Sequence, residues 1–238
     1  MSLDHVHIVL VRTREPQNLG AVARAMKNAG LSRLTLVNPV TDDLVTARRV
    51  AVHAQELVTS PPRVGAIADA VKDATWVVGT TSRTLKGRRS LTPREVAEEA
   101  MRRGGRVALV FGDEESGLSN DDLLTCHDLS CIPASAAQPS FNLAQSVVVY
   151  AYELHLAAAQ PVPKPVTLAT EEELRQVEAA LREVLVASDF ADADRPGHGV
   201  RELAQTLKRA ALTPGEARLW FAALKRVSRA FARLGRGR

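Results

Sequence analysis

The chain has 238 residues, of which 45% are apolar and 24% are charged, and this balance is ordinary for a globular protein. No run of about 18 apolar residues occurs, so a membrane span is not expected, and the first residues lack the pattern of a signal peptide. The net charge of +4 is concentrated near the carboxyl terminus and in one internal segment.

Apolar runs alternate with helix signals along the first half of the chain. Val6–Val11 predicts the first strand, and the spacing that follows predicts a helix from about Asn18 to Ala29 with Gly30 as its C-cap. After a strand over 34–37, Asp42 or Asp43 can cap a helix that runs towards residue 51. We then expect a short strand at 57–58 and a helix that begins at the proline pair 61–62.

The same alternation continues in the second half. A strand over 76–79 is followed by Thr92 and Glu95, which predict a capping box for the next helix. Strands over 107–111 and 129–132 flank a short helix capped by Ser119 with Asp122, and a long helix runs from Asn142 to about residue 159. Strands and helices at this spacing predict an α/β fold, a mostly parallel sheet with helices on both faces.

The pattern changes after a proline-rich stretch. Residues 161–169 predict a stiff linker between a domain over 1–160 and an all-α extension over 170–238. Helix starts at Thr170 and Thr213 flank a third helix over 200–212, and residues 188–199 are typical of a loop. Because a unit of roughly seventy residues is marginally stable by itself, we expect it to pack on the main domain or on a partner subunit.

Basic residues form two clusters. Residues 208–238 contain nine basic side chains and a single acid, and four more cations lie in an internal loop that follows a strand: Arg83, Lys86, Arg88 and Arg89. Such clusters attract phosphate backbones. We favour this interpretation for the loop cluster and a solvated helix face for the carboxyl-terminal cluster alone. Cys126 and Cys131 have no metal-ligand partners nearby, so we expect them to be reduced in a cytosolic protein.

Several common site patterns are absent from the sequence. It contains no glycine-rich dinucleotide fingerprint, no P-loop and no nucleophile elbow. Its six histidines show no metal-ligand spacing, so no metal is expected.

Three separated segments instead carry polar residues that simple packing does not require. Asn18–Arg24 opens the first helix, Phe111–Gly117 follows the strand over 107–111, and Ser140–Gln145 precedes the long helix. In an open α/β sheet, ligands bind at the carboxyl ends of the strands. The three segments therefore predict a single site that is assembled from distant parts of the chain.

Each segment also has a purely structural interpretation. Asn18 can cap the first helix while Gly20 allows another backbone to approach. The two glycines around residues 113–116 can form an ordinary turn with solvated acids. Ser140 or Asn142 can cap the long helix.

Four motifs carry a family resemblance: Asn18-x-Gly20-x-x-x-Arg24, Val78-Gly-Thr-Thr-Ser-Arg83, Phe111-Gly-x-Glu114-x-x-Gly117-Leu118 and Pro139-Ser-x-Asn142-Leu-Ala-Gln145. In order and spacing they resemble the SPOUT superfamily of RNA methyltransferases, specifically the TrmH branch and its TrmJ-type tRNA ribose 2′-O-methyltransferases. The resemblance covers about residues 5–158. It implies a trefoil knot at the carboxyl end of the sheet, S-adenosylmethionine bound in the knot, and a homodimer whose active site uses both subunits.

The resemblance also assigns roles to residues. The catalytic group comprises Arg24, Asn18, Glu114, Ser140 and Asn142. The methyl donor is expected to contact Thr80, Thr81, Ser82, Leu109, Phe111, Gly112, Gly117, Ile132, Ala134, Ser140, Asn142 and Leu143. The RNA is expected to contact Arg24, Arg83, Lys86, Arg88 and Arg89.

These implications predict a cytoplasmic RNA ribose 2′-O-methyltransferase that acts on the anticodon loop of tRNA, at position 32 by family resemblance. Because a guanidinium stays charged in proteins, we expect Arg24 to hold the target phosphate and lower the hydroxyl pKa rather than act as a free base. The alternatives are an rRNA ribose methyltransferase, an RNA-binding relative without turnover and, less favoured, a small-molecule regulator. Asp113 supports the second of these, since relatives often carry arginine there.

Overall fold

The computed structural model describes residues 2–160, 166–188, 190 and 198–234. The chain divides into two compact units, residues 1–165 and 166–238. The three prolines of the predicted linker and most of the predicted 188–199 loop lie outside the described residues. Within the described ranges, every helix is too short or too polar to cross a membrane.

A seven-stranded sheet forms the centre of the first unit, with the strand order β3-β2-β1-β7-β4-β8-β5. All of its strand pairs are parallel, which confirms the predicted α/β class with a mostly parallel sheet. The strands are β1 Val6–Val11, β2 Arg33–Val37, β3 Arg63–Val64, β4 Ala74–Thr80, β5 Ser90–Leu91, β7 Arg106–Phe111 and β8 Asp128–Ser130, and β6 Arg103–Gly104 lies outside this sheet.

Helices cover both faces of the sheet. They are α1 Pro16–Ala29, α2 Leu44–Val50, α3 Gln55–Thr59, α4 Ile67–Val71, α5 Pro93–Arg102, α6 Asn120–Leu124 and α7 Leu143–Ala158. Alternate residues of β1 enter two apolar clusters: Ile8 packs with α1, α5 and α7, while Val9 packs with α4 and α6. Because both faces of the central strands are buried, these strands are apolar without alternation.

Several helix ends agree with the sequence. Gly30 ends α1 with a φ of 81°, and Thr92 and Ser119 each anchor a complete capping box. Asp43, rather than Asp42, caps α2 by accepting a hydrogen bond from the backbone of the third residue along. These caps depend only on neighbouring residues, which is why the sequence predicts them well.

Two predictions between β2 and β4 were wrong. Residues 57–58 lie in the helix α3 and not in a strand, and no helix begins at the Pro61-Pro62 pair. Residues 63–64 instead pair with β2, and the next helix begins at Ile67. The carbonyl of Pro62 accepts a hydrogen bond of 2.9 Å from Leu36 N, so the edge of the sheet draws this segment into an extended conformation.

The second unit consists, in its described residues, of a short strand and three helices. These are β9 Val166–Thr167, α8 Glu171–Ala187, α9 His198–Arg209 and α10 Pro214–Leu234. Leu174 of α8 and Leu224 of α10 belong to a small apolar cluster. A buried ion pair of 2.8 Å joins Lys208 Nζ of α9 to Glu171 Oε1 of α8. Separating two buried charges is costly, so this pair holds the two helices together.

Candidate functional site

A concave pocket of about 250 Å³ lies at the carboxyl ends of β4, β7 and β8. Its walls are residues 80–83 at and after the end of β4, residues 111–118 at and after the end of β7, Ser130 and Ile132 at and after the end of β8, residues 139–141, and Leu143, Ser146 and Tyr150 of α7. Ligands bind at this edge of parallel sheets, so the pocket is the candidate active site.

Nine of the predicted donor-binding residues line the pocket: Thr80, Thr81, Ser82, Phe111, Gly112, Gly117, Ile132, Ser140 and Leu143. The other three do not. Leu109 is completely buried inside β7, Ala134 is exposed beyond β8, and Asn142 caps α7. The donor contacts themselves stay a prediction.

The pocket also contains residues that the motifs did not single out. Ser146 and Tyr150 face it from α7, whereas the motif residue Gln145 is exposed and does not line it. The Tyr150 hydroxyl donates a hydrogen bond of 2.7 Å to Ser130 Oγ, and its ring meets Phe111 edge-on with centroids 5.4 Å apart. Burial raises the pKa of Tyr150 above its ordinary value, so this hydroxyl is a fixed neutral donor.

One wall of the pocket is a closed loop over residues 112–118, which we call the acidic loop. A Cβ atom on Gly112 would lie 2.0 Å from the carbonyl carbon of Gly117, so only glycine fits at this position. Gly117 has a φ of 67°, and its N–H donates to the carbonyl of Asp113 over 3.1 Å. The two glycines therefore serve loop closure and do not merely mark a flexible turn.

Asp113 organises the acidic loop from inside. Its carboxylate is only 3% exposed and lies 3.5 Å from Arg12 Nε, and its Oδ1 accepts hydrogen bonds of 2.9 and 2.6 Å from the N–H groups of Glu115 and Ser116. Burial opposes ionisation of Asp113, but these hydrogen bonds and the Arg12 guanidinium outweigh it, so its pKa lies below the ordinary value. The acid at this position therefore has its partners within the chain.

A chain of hydrogen bonds joins three predicted catalytic residues at the rim of the pocket. Asn18 Nδ2 donates to Glu114 Oε1 over 3.0 Å, and Asn142 Nδ2 donates to Asn18 Oδ1 over 2.9 Å. Glu114 also accepts from the backbone N–H groups of Arg14 at 3.0 Å and Glu15 at 3.3 Å. Its negative charge thus lies at the amino end of α1, where the helix dipole favours an anion.

The structure decides between the alternatives left open for these residues. Asn18 does not cap α1, because the helix begins two residues earlier, at Pro16, and the Asn18 side chain is directed to Glu114. Asn142 does cap α7 and also joins the rim. Gly20 is a packing residue, since a Cβ there would lie 2.3 Å from the carbonyl oxygen of Ala47.

Arg24 is not brought to the pocket of its own chain. It is exposed on α1, does not line the pocket, and forms no hydrogen bond or ion pair with another described residue. Asn18, Glu114 and Asn142 therefore converge in one chain, with Ser140 in the pocket wall beside them, while the arginine of the predicted catalytic group stands apart.

The basic loop has two kinds of cation. Arg83 donates to the carbonyl of Leu118 and to Asn120 Oδ1, the latter over 3.0 Å. Arg88 donates over 3.3 and 2.9 Å to carbonyl oxygens of residues 123 and 126, so both arginines hold the loop against the α6 region. The Lys86 and Arg89 side chains are exposed and form no such bonds within the described ranges.

The chemistry of the pocket is that of binding and orientation. Carboxylates, hydroxyls and backbone groups surround an opening beside a buried tyrosine. The part of the chain that the structure describes holds no group of three or more histidine, cysteine or acidic side chains arranged to bind a metal ion.

Known proteins resemble this chain over most of its length. The model of the SpoU rRNA Methylase family matches residues 5–152. The tRNA (cytidine/uridine-2′-O-)-methyltransferase TrmJ of Klebsiella pneumoniae is 36% identical over 220 residues, which are 87% of this chain and 90% of the relative.

Solved structures agree with this relationship. The crystal structure of TrmJ from Z. mobilis superposes with a TM-score of 0.82 at 28% identity and covers 93% of this chain and 98% of its own. A structure concerned with 2-OH methylation of C/U34 on tRNA superposes with a TM-score of 0.51 at 26% identity, covering 64% of this chain and 95% of its own. Given the family match and the identity to a full-length relative, this chain belongs to the SpoU rRNA methylase family.

Proposed function

We propose that this protein transfers a methyl group from S-adenosylmethionine to a ribose 2′-hydroxyl of tRNA. The observation that carries the proposal is the hydrogen-bonded chain of Glu114, Asn18 and Asn142 at the rim of a pocket on the carboxyl edge of the sheet. The named activities of the relatives, which include tRNA 2′-O-methylation, point to the same reaction.

The residues of the pocket fit the methyl donor. The acidic loop places Glu114 and Glu115 in the pocket wall, and their negative charge complements a sulfonium cation. Backbone groups of the glycine-containing loop, with residues 80–82, Ile132 and residues 140–143, would hold the rest of the molecule. When bound, the donor supplies an activated methyl group, because a sulfonium loses its methyl readily to an oxygen nucleophile.

The side chains at the rim would orient the ribose. Asn142 Oδ1 accepts from backbone N–H groups at the start of α7, so its Nδ2 must face Asn18, and Glu114 fixes the Asn18 amide in turn. Both amides are therefore held in one orientation before substrate arrives. In-line positioning of two reacting groups can supply about 7–11 kcal/mol, which is the main contribution that this reaction requires from the protein.

We further propose that Arg24 acts in a homodimer. Val148, Tyr152 and Leu156 are 50%, 59% and 40% exposed and repeat every four residues along α7, which packs against α1. A second copy bound to this apolar stripe would cover it and would give the unpaired Arg24 a site outside its own chain. There its guanidinium would hold the target phosphate and lower the pKa of the ribose hydroxyl. We also propose that the chain forms a trefoil knot at the carboxyl end of the sheet.

The helices of the second unit would extend the RNA contact. On α10, the side chains of Arg226, Arg229 and Arg233 form no ion pair with other described residues, and all three are exposed. Their spacing places them along one side of the helix, where they can follow a phosphate backbone. Because tRNA is the proposed substrate, we place the protein in the cytoplasm.

Replacing Arg24 with Ala tests the proposal. With radiolabelled donor and tRNA transcripts, we expect turnover to fall at least about a hundredfold, the range seen when one transition-state contact is removed. Arg94→Ala is the matched control, since Arg94 is an exposed helical arginine whose Nε lies 3.3 Å from Glu153. Unchanged turnover in Arg24→Ala would contradict its catalytic role, and a monomer in sedimentation would contradict the dimer.

An rRNA substrate is the second candidate, because the matching family is described as an rRNA methylase family. Parallel reactions on rRNA and tRNA, followed by mass-spectrometric mapping of 2′-O-methyl groups, separate the two. The same map distinguishes position 32, expected from the resemblance, from position 34, on which one structural neighbour acts. Label in rRNA alone would replace the tRNA proposal.

A further inference from the structure

Arg12, which directly follows β1, contacts three residues of two segments, the acidic loop and α6. Its Nη2 lies 2.6 Å from Asp122 Oδ2 at α6 and donates over 3.4 Å to the carbonyl of Gly117 at the end of the acidic loop. Its Nε lies 3.5 Å from Asp113 Oδ2 at the start of that loop. One guanidinium therefore holds both ends of the acidic loop and ties them to α6.

The backbone of Arg12 is strained. Its φ is 54°, a region that residues other than glycine rarely adopt and that is often retained where function requires it. The Arg12 N–H donates over 2.8 Å to the carbonyl of Val37, so the neighbouring strand holds this turn in place. A strained backbone that aims a side chain at three acceptors suggests that the aim of that side chain matters.

The position of the acidic loop controls the rim of the pocket. Glu114 follows Asp113 directly, and its carboxylate must reach both the amino end of α1 and Asn18. A displacement of the loop by about an ångström would break these bonds, since hydrogen bonds weaken steeply beyond their normal length. Arg12 does not line the pocket, so it can influence the reaction only through the residues that it holds.

We infer that Arg12 is a positioning residue, which holds the acidic loop through Asp113 and Gly117 so that Glu114 is placed for donor binding and methyl transfer. The inference rests on the proposed function. The ionisation of Asp113 and Asp122 supports it, because in each carboxylate hydrogen bonding and the Arg12 guanidinium outweigh the effect of burial and keep the pKa below its ordinary value.

Arg12→Gly removes the side chain without adding backbone strain, so it tests the side chain by itself. Glycine adopts positive φ without strain, so this variant should fold and melt within a few degrees of the wild type. We expect the donor dissociation constant, measured by calorimetry, to rise roughly tenfold and kcat to fall roughly a hundredfold, with KM for tRNA within about twofold. Arg12→Lys should recover part of the loss, because it keeps the charge but lacks the planar fork.

Asn38→Gly is the matched control. Asn38 lies at the end of the neighbouring strand β2 with a φ of 44°, and its side chain donates to the carbonyl of Gly65. It is another non-glycine residue with positive φ at a strand end, but it does not line the pocket or touch the acidic loop. We expect wild-type donor binding and turnover from this variant.

Asp113→Asn tests the route of the effect. The amide can still accept from the loop N–H groups but loses the charge that faces Arg12. If Arg12 acts through Asp113, the double variant Arg12→Gly/Asp113→Asn will have a donor dissociation constant within about twofold of that of Arg12→Gly. The reason is that the effects of coupled residues do not add. Multiplied effects would overturn this route.

The outcomes separate the inference from the proposed function. Wild-type turnover with unchanged donor binding and kcat in Arg12→Gly would overturn the role of Arg12 alone. A fall in melting temperature with unchanged kcat would do the same, since it would show a purely structural residue. A wild-type chain that neither binds the donor nor methylates RNA would refute the proposed function and the role of Arg12 with it.

Discussion

The two edges of the central sheet bury ionisable groups in opposite ways. At the carboxyl edge, Asp113 is buried as an anion because backbone N–H groups and Arg12 surround it. At the amino edge, His7 of β1 is only 4% exposed and is held neutral, since burial and the nearby Arg33 and Arg106 lower its pKa to about 4. Asp113 keeps its charge because hydrogen-bond donors and a cation surround it, whereas His7 loses its charge because it is buried near two other cations.

The difference lies in how many hydrogen bonds each group has. His7 Nε2 is 2.9 Å from Thr35 Oγ1, while its Nδ1 has no hydrogen-bond partner within the described ranges. The Asp113 carboxylate has two hydrogen bonds and a cation. These contacts stabilise the charged form of Asp113 and make the acidic loop rigid. We therefore expect substitutions at the carboxyl edge to affect function and those at the amino edge to affect stability alone.

The largest effect is expected from Gly112→Ala at the carboxyl edge. Its Cβ would meet the backbone of residues 117 and 118 at 2.0–2.2 Å, so the acidic loop cannot close without moving the backbone. We expect a loss of about 3 kcal/mol or more of unfolding free energy and no measurable methyl transfer, checked by urea unfolding and the tRNA assay.

Gly65→Ala is the control for that variant, since nothing lies within 4 Å of a Cβ added to Gly65. It should retain stability to within about 0.5 kcal/mol. Wild-type donor binding by Gly112→Ala would break the link between loop closure and function.

As the pH falls, the first loss of stability should come from His7 at the amino edge. The pKa of His7 is about 4 in the folded chain and about 6.5 when unfolded, so the unfolded chain binds an extra proton between these values. Stability should therefore be complete above about pH 6.5 and fall by about 3 kcal/mol as the pH drops to about 4. The pKa of Asp113 is lowered from 3.8, so protonation of Asp113 should reduce the stability only at still lower pH.

Unfolding free energies of the wild type and His7→Gln across this pH range test the assignment. Glutamine does not titrate, so the slope between about pH 6.5 and 4 should flatten. Equal slopes in the two proteins would show that another group controls acid sensitivity.

The smallest effect is expected from Thr35→Val, which removes the hydroxyl beside His7 without changing the shape of the side chain. Leaving the buried ring without its partner should cost about 1–2 kcal/mol of stability and should not alter donor affinity. Thr13→Val is the control, since the Thr13 hydroxyl is buried and has no partner in the described parts of the chain, and its removal should be neutral. A change in donor affinity in Thr35→Val would contradict the separation of the two edges.

Much of the fold could be predicted because its signals are local. Thr92 and Ser119 cap helices through residues three positions away, and β1 and β7 are apolar runs that only a covered sheet can bury. The prediction of a strand at 57–58 was wrong because two apolar residues are too few to show a period. The conformation of the segment after β2 depends on the edge of that strand, which the local sequence does not reveal.

The candidate site divides in the same way. Convergence of the polar segments follows from the shared carboxyl edge of parallel strands, and the sequence motifs already contain Asn18, Glu114 and Asn142. Ser146 and Tyr150 could have been found from their spacing on α7. The separation of Arg24 from the pocket could not, since one sequence does not distinguish a contact within a chain from a contact between two.

The sequence by itself determined the class of sheet, most helix ends and the polar segments that meet at its carboxyl edge, because hydrophobic period and capping act over a few neighbouring residues. Only the tertiary structure decided which partner each buried charge receives. The pairing of Arg12 with Asp113 and the neutral state of His7 depend on residues roughly 25 to 110 positions apart, and electrostatic energy depends on distance in space and on burial.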